Sequence, residues 1–191
     1  LPSEPVMGSD TVAAAFRAAI DDDAVKAIVF RVDSPGGSYV ASDTIWRETV
    51  RARDAGKPVI VSMGNVAGSG GYFVAMAADK IVAEPGTITG SIGVLGGKLV
   101  ARDFMAEKLG ITTDETHTSA NSTMFLATQP YSASEWARHE AWLDRVYADF
   151  TSKVAEGRHL DPTEVRRIAK GRIWTGEDAK DLGLVDELGG F

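Results

Sequence analysis

Ser69 lies in the run Gly64-Asn65-Val66-Ala67-Gly68-Ser69-Gly70-Gly71, after one apolar stretch and before another. A serine on a sharp strand-to-helix turn can act as a nucleophile. The next backbone N–H, that of Gly70, and the positive end of the following helix would face the developing oxyanion. A second glycine pair stands in Asp33-Ser34-Pro35-Gly36-Gly37-Ser38, again just after an apolar run. Glycine lets backbone approach a ligand closely and turns N–H groups into a cavity. Each segment alone is also compatible with an ordinary tight turn. Together, on neighbouring strands, each can give one N–H to a shared oxyanion hole, which is what acyl transfer requires. Position 67 is alanine, so the G-x-S-x-G elbow of α/β-hydrolases is disfavoured.

The elements that must position these turns alternate in type. Ser9 or Asp10 can cap a helix with Val12, Ala15, Phe16, Ala19 and Ile20 at helical spacing, ended by Asp21–Asp23. Residues Ala27–Val32 predict a buried strand covered on both faces. A helix over Val40–Ala55 and a strand over Val59–Met63 complete a right-handed βαβ unit. Residues 64–71 read as a loop, Tyr72–Ala78 as an apolar helix and Lys80–Ala83 as a short strand. Residues 84–98 are rich in glycine and threonine. A helix near Ala101–Leu109, a strand near Ile111–Thr116 and a long irregular stretch over 117–131 follow. The last third predicts helices. Ser132 and Glu135 have capping-box spacing, with Trp136, Leu143, Val146, Tyr147, Phe150 and Val154 along one face. Asp161-Pro162 opens another helix, and Thr175 with Asp178 a short last one closed by Gly183. The class is α/β with helical additions.

Composition sets the outer limits. The chain has 191 residues, 44% hydrophobic and 25% charged, which suits a globular domain with a full core. It has 20 glycines and no cysteine, so disulfides, thiolate metal sites and a cysteine nucleophile are excluded. The net charge of −7 argues against a nucleic-acid partner. No run approaches the roughly 20 apolar residues of a membrane helix. Leu1–Gly8 lacks the basic start and apolar core of a signal peptide.

Several motifs resemble the signal peptide peptidase A family of serine proteases. They are Val32-Asp33-Ser34-Pro35-Gly36-Gly37-Ser38, Gly68-Ser69-Gly70-Gly71-Tyr72, Asp79-Lys80-Ile81, Thr87-Ile88-Thr89-Gly90-Ser91-Ile92-Gly93-Val94 and Gly171-Arg172-Ile173-Trp174-Thr175-Gly176. They run in order from about residue 10 to 191. The resemblance implies a ClpP/crotonase-like α/β superhelix of βαβ units with a helical C-terminal third. It implies a Ser–Lys dyad with Ser69 as nucleophile, and Gly70 with Gly36 or Gly37 as oxyanion donors. No cofactor and no metal is expected. The family tends to have alanine where Gly68 stands.

A dyad lysine must be desolvated and must reach the serine oxygen. Lys26 and Lys57 precede strands, at the end opposite the site. Lys108, Lys153, Lys170 and Lys180 read as solvated helix-face charges, Lys80 as snorkelling, and Lys98 lies in a loop. Single-domain relatives carry the lysine after the strand near 111–116, where this chain has His117-Thr118-Ser119-Ala120-Asn121-Ser122-Thr123. Long-form members have two homologous halves, the N-terminal one supplying lysine and the C-terminal one serine. The chain 1–191 therefore reads as one domain resembling the C-terminal half, with its base in an upstream half. A Ser-His-Asp triad would need His117, the histidine nearest a candidate loop; His139 and His159 read as structural or solvated. No histidine pair has the spacing of a metal site such as H-E-x-x-H.

The expected activity is a serine endopeptidase acting on signal peptides or other extended apolar peptides. By resemblance the parent is membrane-associated on the extracytoplasmic face and assembles as a homotetramer. Two other classes compete. A crotonase-like acyl-CoA enzyme shares the oxyanion hole but needs no serine, and no basic cluster here serves the CoA phosphates. A non-catalytic assembly domain would use the long helix with Trp136 and Trp142 as an oligomer contact.

Overall fold

The computed structural model describes residues 6–190. The expectation for the first residues falls in part on 1–5, which lie outside the described residues, as does 191. The fold is mixed α/β, as expected. Elements in chain order are α1 (Ser9–Asp21), β1 (Ile28–Ser34), α2 (Tyr39–Asp54), β2 (Val59–Gly68), α3 (Gly70–Ala75), β3 (Lys80–Ala83), β4 (Ile88–Gly90), α4 (Arg102–Leu109), α5 (Ala133–Arg158), α6 (Pro162–Ile168), β5 (Ile173–Thr175), α7 (Gly176–Asp181) and β6 (Glu187–Leu188). Two compact units emerge, one of residues 1–93 with 147–191 and one of residues 94–146.

In the first unit, β2 is the hub of a six-stranded sheet ordered β5-β4-β2-β3-β6, with β1 also paired to β2. The β1–β2, β2–β3, β2–β4 and β3–β6 pairs are parallel and β4–β5 is antiparallel. The core gathers Phe16, Val59, Val61, Met63, Phe73 and Leu184 among others. Burial of this apolar area is the main stabilising term. Glu48 is buried and receives hydrogen bonds from Arg17 at 2.7 and 2.9 Å and from Arg51 at 2.8 and 2.9 Å, which ties α1 to α2.

Several expectations are corrected here. Gly8, not Ser9 or Asp10, is the N-cap of α1. Only one face of β1 is covered: Val32 is buried, whereas Val29 is 58% exposed. β2 does not end at Met63 but runs on to Gly68, so most of the expected loop is strand. The apolar helix starts at Gly70 and is six residues long.

The second unit holds α4, which has no buried residue, and the first part of α5. No strand forms over 111–116. The capping box does form: the Glu135 N–H donates to Ser132 Oγ at 3.2 Å and the Ser132 N–H to Glu135 Oε2 at 2.7 Å. Trp136 does not join a buried face; it is 48% exposed. His139 is buried between Tyr131, stacked at 5.2 Å, and Trp142, stacked at 6.1 Å. A methyl group on Gly96 would lie 2.9 Å from His139 Cε1, so the backbone there closes over the ring.

Candidate active site

The β1–β2 register shifts between Val32 and Ser34, where Gly64, Asn65 and Val66 of β2 stand against Asp33 alone, so the bulge is in β2. The Asp33 carboxylate compensates by accepting the Val66 N–H at 3.1 Å. Gly64 makes room for it, since a methyl group there would lie 2.5–2.7 Å from Asp33 side-chain atoms. The bulge brings Ser34 opposite Ala67, close to the end of β2.

Ser69 follows directly with φ 52° and ψ −117°. A non-glycine residue there carries strain of about 1–3 kcal/mol, which persists only if its surroundings hold it. They do so on both sides. The Ser69 N–H donates to the Gly90 carbonyl at 2.9 Å, and the Ser69 carbonyl accepts the Phe73 N–H at 2.9 Å. The side chain is half-buried, whereas every residue of α3 is buried.

The two glycine turns are in contact. A methyl group on Gly36 would lie 2.5 Å from the Gly70 nitrogen and 2.8 Å from Ser69 Cβ. One on Gly70 would lie 2.5 Å from Ser42 Oγ and 3.2 Å from the Gly37 nitrogen. Ser69, Gly70, Gly36 and Gly37 are therefore gathered at one place. The two candidate N–H groups of the first turn differ. The Gly36 N–H donates to Ser34 Oγ at 3.2 Å. Gly37 has φ 148°, and its N–H has no acceptor among the described residues. The Gly70 N–H begins α3 and so has no intrahelical partner.

Three neighbours were not singled out from sequence. Ser42 Oγ donates to the Ser38 carbonyl at 3.0 Å and packs on Gly70. Ser34 orients the first turn. Ser91, at φ 49°, places its Cβ 3.5 Å from where a Gly68 side chain would start. Only the spacing Ser38-to-Ser42, one helical turn, carried a signal for the first of these.

Among the described residues no lysine is hydrogen-bonded to Ser69. Lys26 and Lys57 cap backbone carbonyls, and Lys80 pairs with Glu187. Lys153 is not the solvated charge expected. Its side chain is 16% exposed and bonded to Asp43 and Asp149. Lys98 lies in the second unit with its ammonium 4.4 Å from the Tyr131 ring centre. His117 is exposed, in the same unit.

Ser69 is thus held in strained backbone where two glycine turns meet on a mixed α/β sheet. Residues 51–191 match the family model of peptidase family S49, and the chain belongs to that family. It is 43% identical over 185 residues to Protease 4 of Salmonella typhi, covering 97% of this chain and 30% of the relative. It is 40% identical over 167 residues to the chloroplastic serine protease SPPA of Arabidopsis thaliana, covering 87% and 24%. It is 35% identical over 169 residues to a putative signal peptide peptidase SppA of Enterococcus faecium, covering 88% and 49%. The chain thus spans less than half the length of these relatives.

Proposed function

We propose that this chain carries the nucleophile and oxyanion hole of a serine endopeptidase that degrades signal peptides or other extended apolar peptides. The observation that carries the reading is the contact of the Gly36-Gly37 turn with the Ser69-Gly70 turn. Ser69 Oγ attacks the scissile carbonyl, forming the O–C bond, and its proton passes to a general base. The oxyanion takes hydrogen bonds from the Gly70 and Gly37 N–H groups. Gly37 is preferred over Gly36 because the Gly36 N–H is already used by Ser34. The C–N bond then breaks, the amine leaves with the proton, and water releases the acyl group from Ser69.

The base is a lysine of an upstream half, in keeping with a chain that matches 30% of Protease 4 and has no lysine bonded to Ser69 among its described residues. The fold reading is the ClpP/crotonase-like superhelix, supported by the parallel pairings around β2. The parent is proposed to be membrane-associated on the extracytoplasmic face and homotetrameric, readings that rest on the family. No described helix is long and apolar enough to cross a membrane.

The test uses the full-length protein and an apolar peptide substrate. Ser69→Ala lowers turnover by about 10³-fold or more, as loss of a nucleophile does in serine hydrolases. Unchanged turnover sinks the assignment. The same assay on residues 1–191 alone and with the upstream half tests the split dyad: full activity of the isolated chain places the base within it.

A further inference from the structure

The oxyanion turn cannot hold its own shape. Gly36 at φ 102° and Gly37 at φ 148° occupy backbone regions that glycine enters freely and leaves as freely. Its entry is pinned by the Gly36 N–H on Ser34 Oγ. Its exit is Ser38, the N-cap of α2, followed at once by Tyr39. The Tyr39 hydroxyl donates to Asp149 Oδ2 at 2.7 Å, across 110 positions of sequence. The Lys153 ammonium donates to the same oxygen at 2.8 Å and to Asp43 Oδ1 at 2.6 Å, one turn along α2 from Tyr39. It also lies 4.3 Å from the Trp46 ring centre and 5.2 Å from that of Phe73.

Phe73 links this pad to the other turn. Its ring meets Tyr39 edge-on at 5.7 Å and Phe150 at 4.8 Å, while its N–H is bonded to the Ser69 carbonyl. The helices leaving both turns are therefore fixed to α5 at one place. Burial first, and then the bond to Asp149, hold the Tyr39 phenol above its ordinary range, so it remains a proton donor.

We propose that Tyr39, Asp149 and Lys153 are positioning residues that hold the Gly37 N–H in register with the Gly70 N–H. This rests on the peptidase reading above. Oxyanion donors must sit about 2.7–3.1 Å from the oxyanion, and a misplacement near 1 Å can cost on the order of 10² in rate. A pad that served stability alone would leave the turn itself unchanged.

Tyr39→Phe in the full-length protein removes the hydroxyl and keeps the ring on Phe73. The expected result is kcat down by about 10-fold with KM within about two-fold, since the oxyanion exists only after attack. The amide of Gly36, bonded to Ser34 Oγ, exchanges hydrogen about 10-fold faster or more. Asp149→Asn keeps an acceptor for the Tyr39 hydroxyl and loses less kcat than Tyr39→Phe. A kcat within two-fold of wild type, or unchanged exchange at Gly36, overturns the proposal. Failure of the peptidase reading shows differently: wild-type turnover would survive Ser69→Ala, while the exchange measurement still reports whether Tyr39 holds the turn.

Discussion

In the unit of residues 1–93 and 147–191, fully buried positions include Val59, Val61, Met63, Phe73, Ile81 and Leu184. In residues 94–146 the buried positions are Thr123, Glu135, His139 and Val146, three of them polar. Large apolar side chains there face outward: Leu95 is 92% exposed, Leu99 82% and Phe104 60%. Buried polar atoms without a partner also fall mostly in the second unit, with the Tyr147 hydroxyl in the first. Lys98 Nζ, Glu135 Oε1 and both ring nitrogens of His139 have no hydrogen-bond partner among the described residues. Each such atom costs about 1–3 kcal/mol when kept dry. The first unit thus draws its stability from apolar burial within itself, while the second has little of that term. Local opening should cost least in the second unit. The site built around Ser69 lies in the unit that can hold strained backbone.

A pair of glycine substitutions tests this contrast most directly. A methyl group on Gly71 would lie 2.3 Å from the Ser34 carbonyl oxygen, whereas one on Gly97 meets nothing within 4 Å. Gly71→Ala is expected to destabilise by about 3 kcal/mol, the upper end of overpacking costs. At this chain length that lowers Tm by roughly 8 °C. Gly97→Ala should stay within about 0.5 kcal/mol, the range for surface changes. Equal shifts in a calorimetric comparison would break the distinction between a close-packed unit and an open one.

Next in size is Lys153→Met. The change removes the ammonium that separates Asp43 from Asp149 while keeping an apolar stem against Trp46 and Phe73. Two carboxylates remain in a partly buried place without their shared cation. A loss of about 2 kcal/mol is expected, within the range for unpairing a buried charge-assisted hydrogen bond. Denaturant unfolding measures it. A matching Lys98→Met change in the second unit should cost less, because Lys98 makes no hydrogen bond to a carboxylate and acts on Glu135 only through its charge. If Lys98→Met costs as much, hydrogen bonding of the cation to carboxylates is not the difference between the units.

What could be read from sequence divides along the same physical line. α1, α2 and the caps at Asp161-Pro162, Ser132/Glu135 and Thr175/Asp178 are local matters, decided within four or five residues, and they were readable. The adjacency of the Gly36 and Ser69 turns followed from placing both after neighbouring parallel strands. β4, β5 and β6 have three, three and two residues, too short for any period to show. Ile111-Thr112-Thr113 has strand propensity but no partner strand, and propensity without pairing makes no sheet. Gly64 and Gly68 read as loop residues, yet Gly64 sits in a strand to admit the Asp33 carboxylate. Lys153 looked solvated because its two carboxylates lie on another helix and one turn back on its own. Which of Gly36 and Gly37 keeps a free N–H depended on Ser34, which only the folded turn reveals.

The smallest effect concerns acid. Backbone hydrogen bonding from Ser132, the largest cause, holds the Glu135 carboxyl below its ordinary value of 4.5; Lys98 and His117 add to this. A carboxyl whose folded value is lowered stabilises fully above its unfolded value and loses that contribution as pH falls through the folded one. The start of α5 should therefore loosen only below about pH 4.5. Hydrogen exchange at residues 132–137 between pH 3 and 6 would read it, after correction for the intrinsic pH dependence of exchange. Glu135→Gln should remove that pH step while leaving the amides of β2 unchanged. A step that persists in Glu135→Gln would assign the acid sensitivity to another group. A step appearing equally in β2 would mean that the two units respond to acid as one.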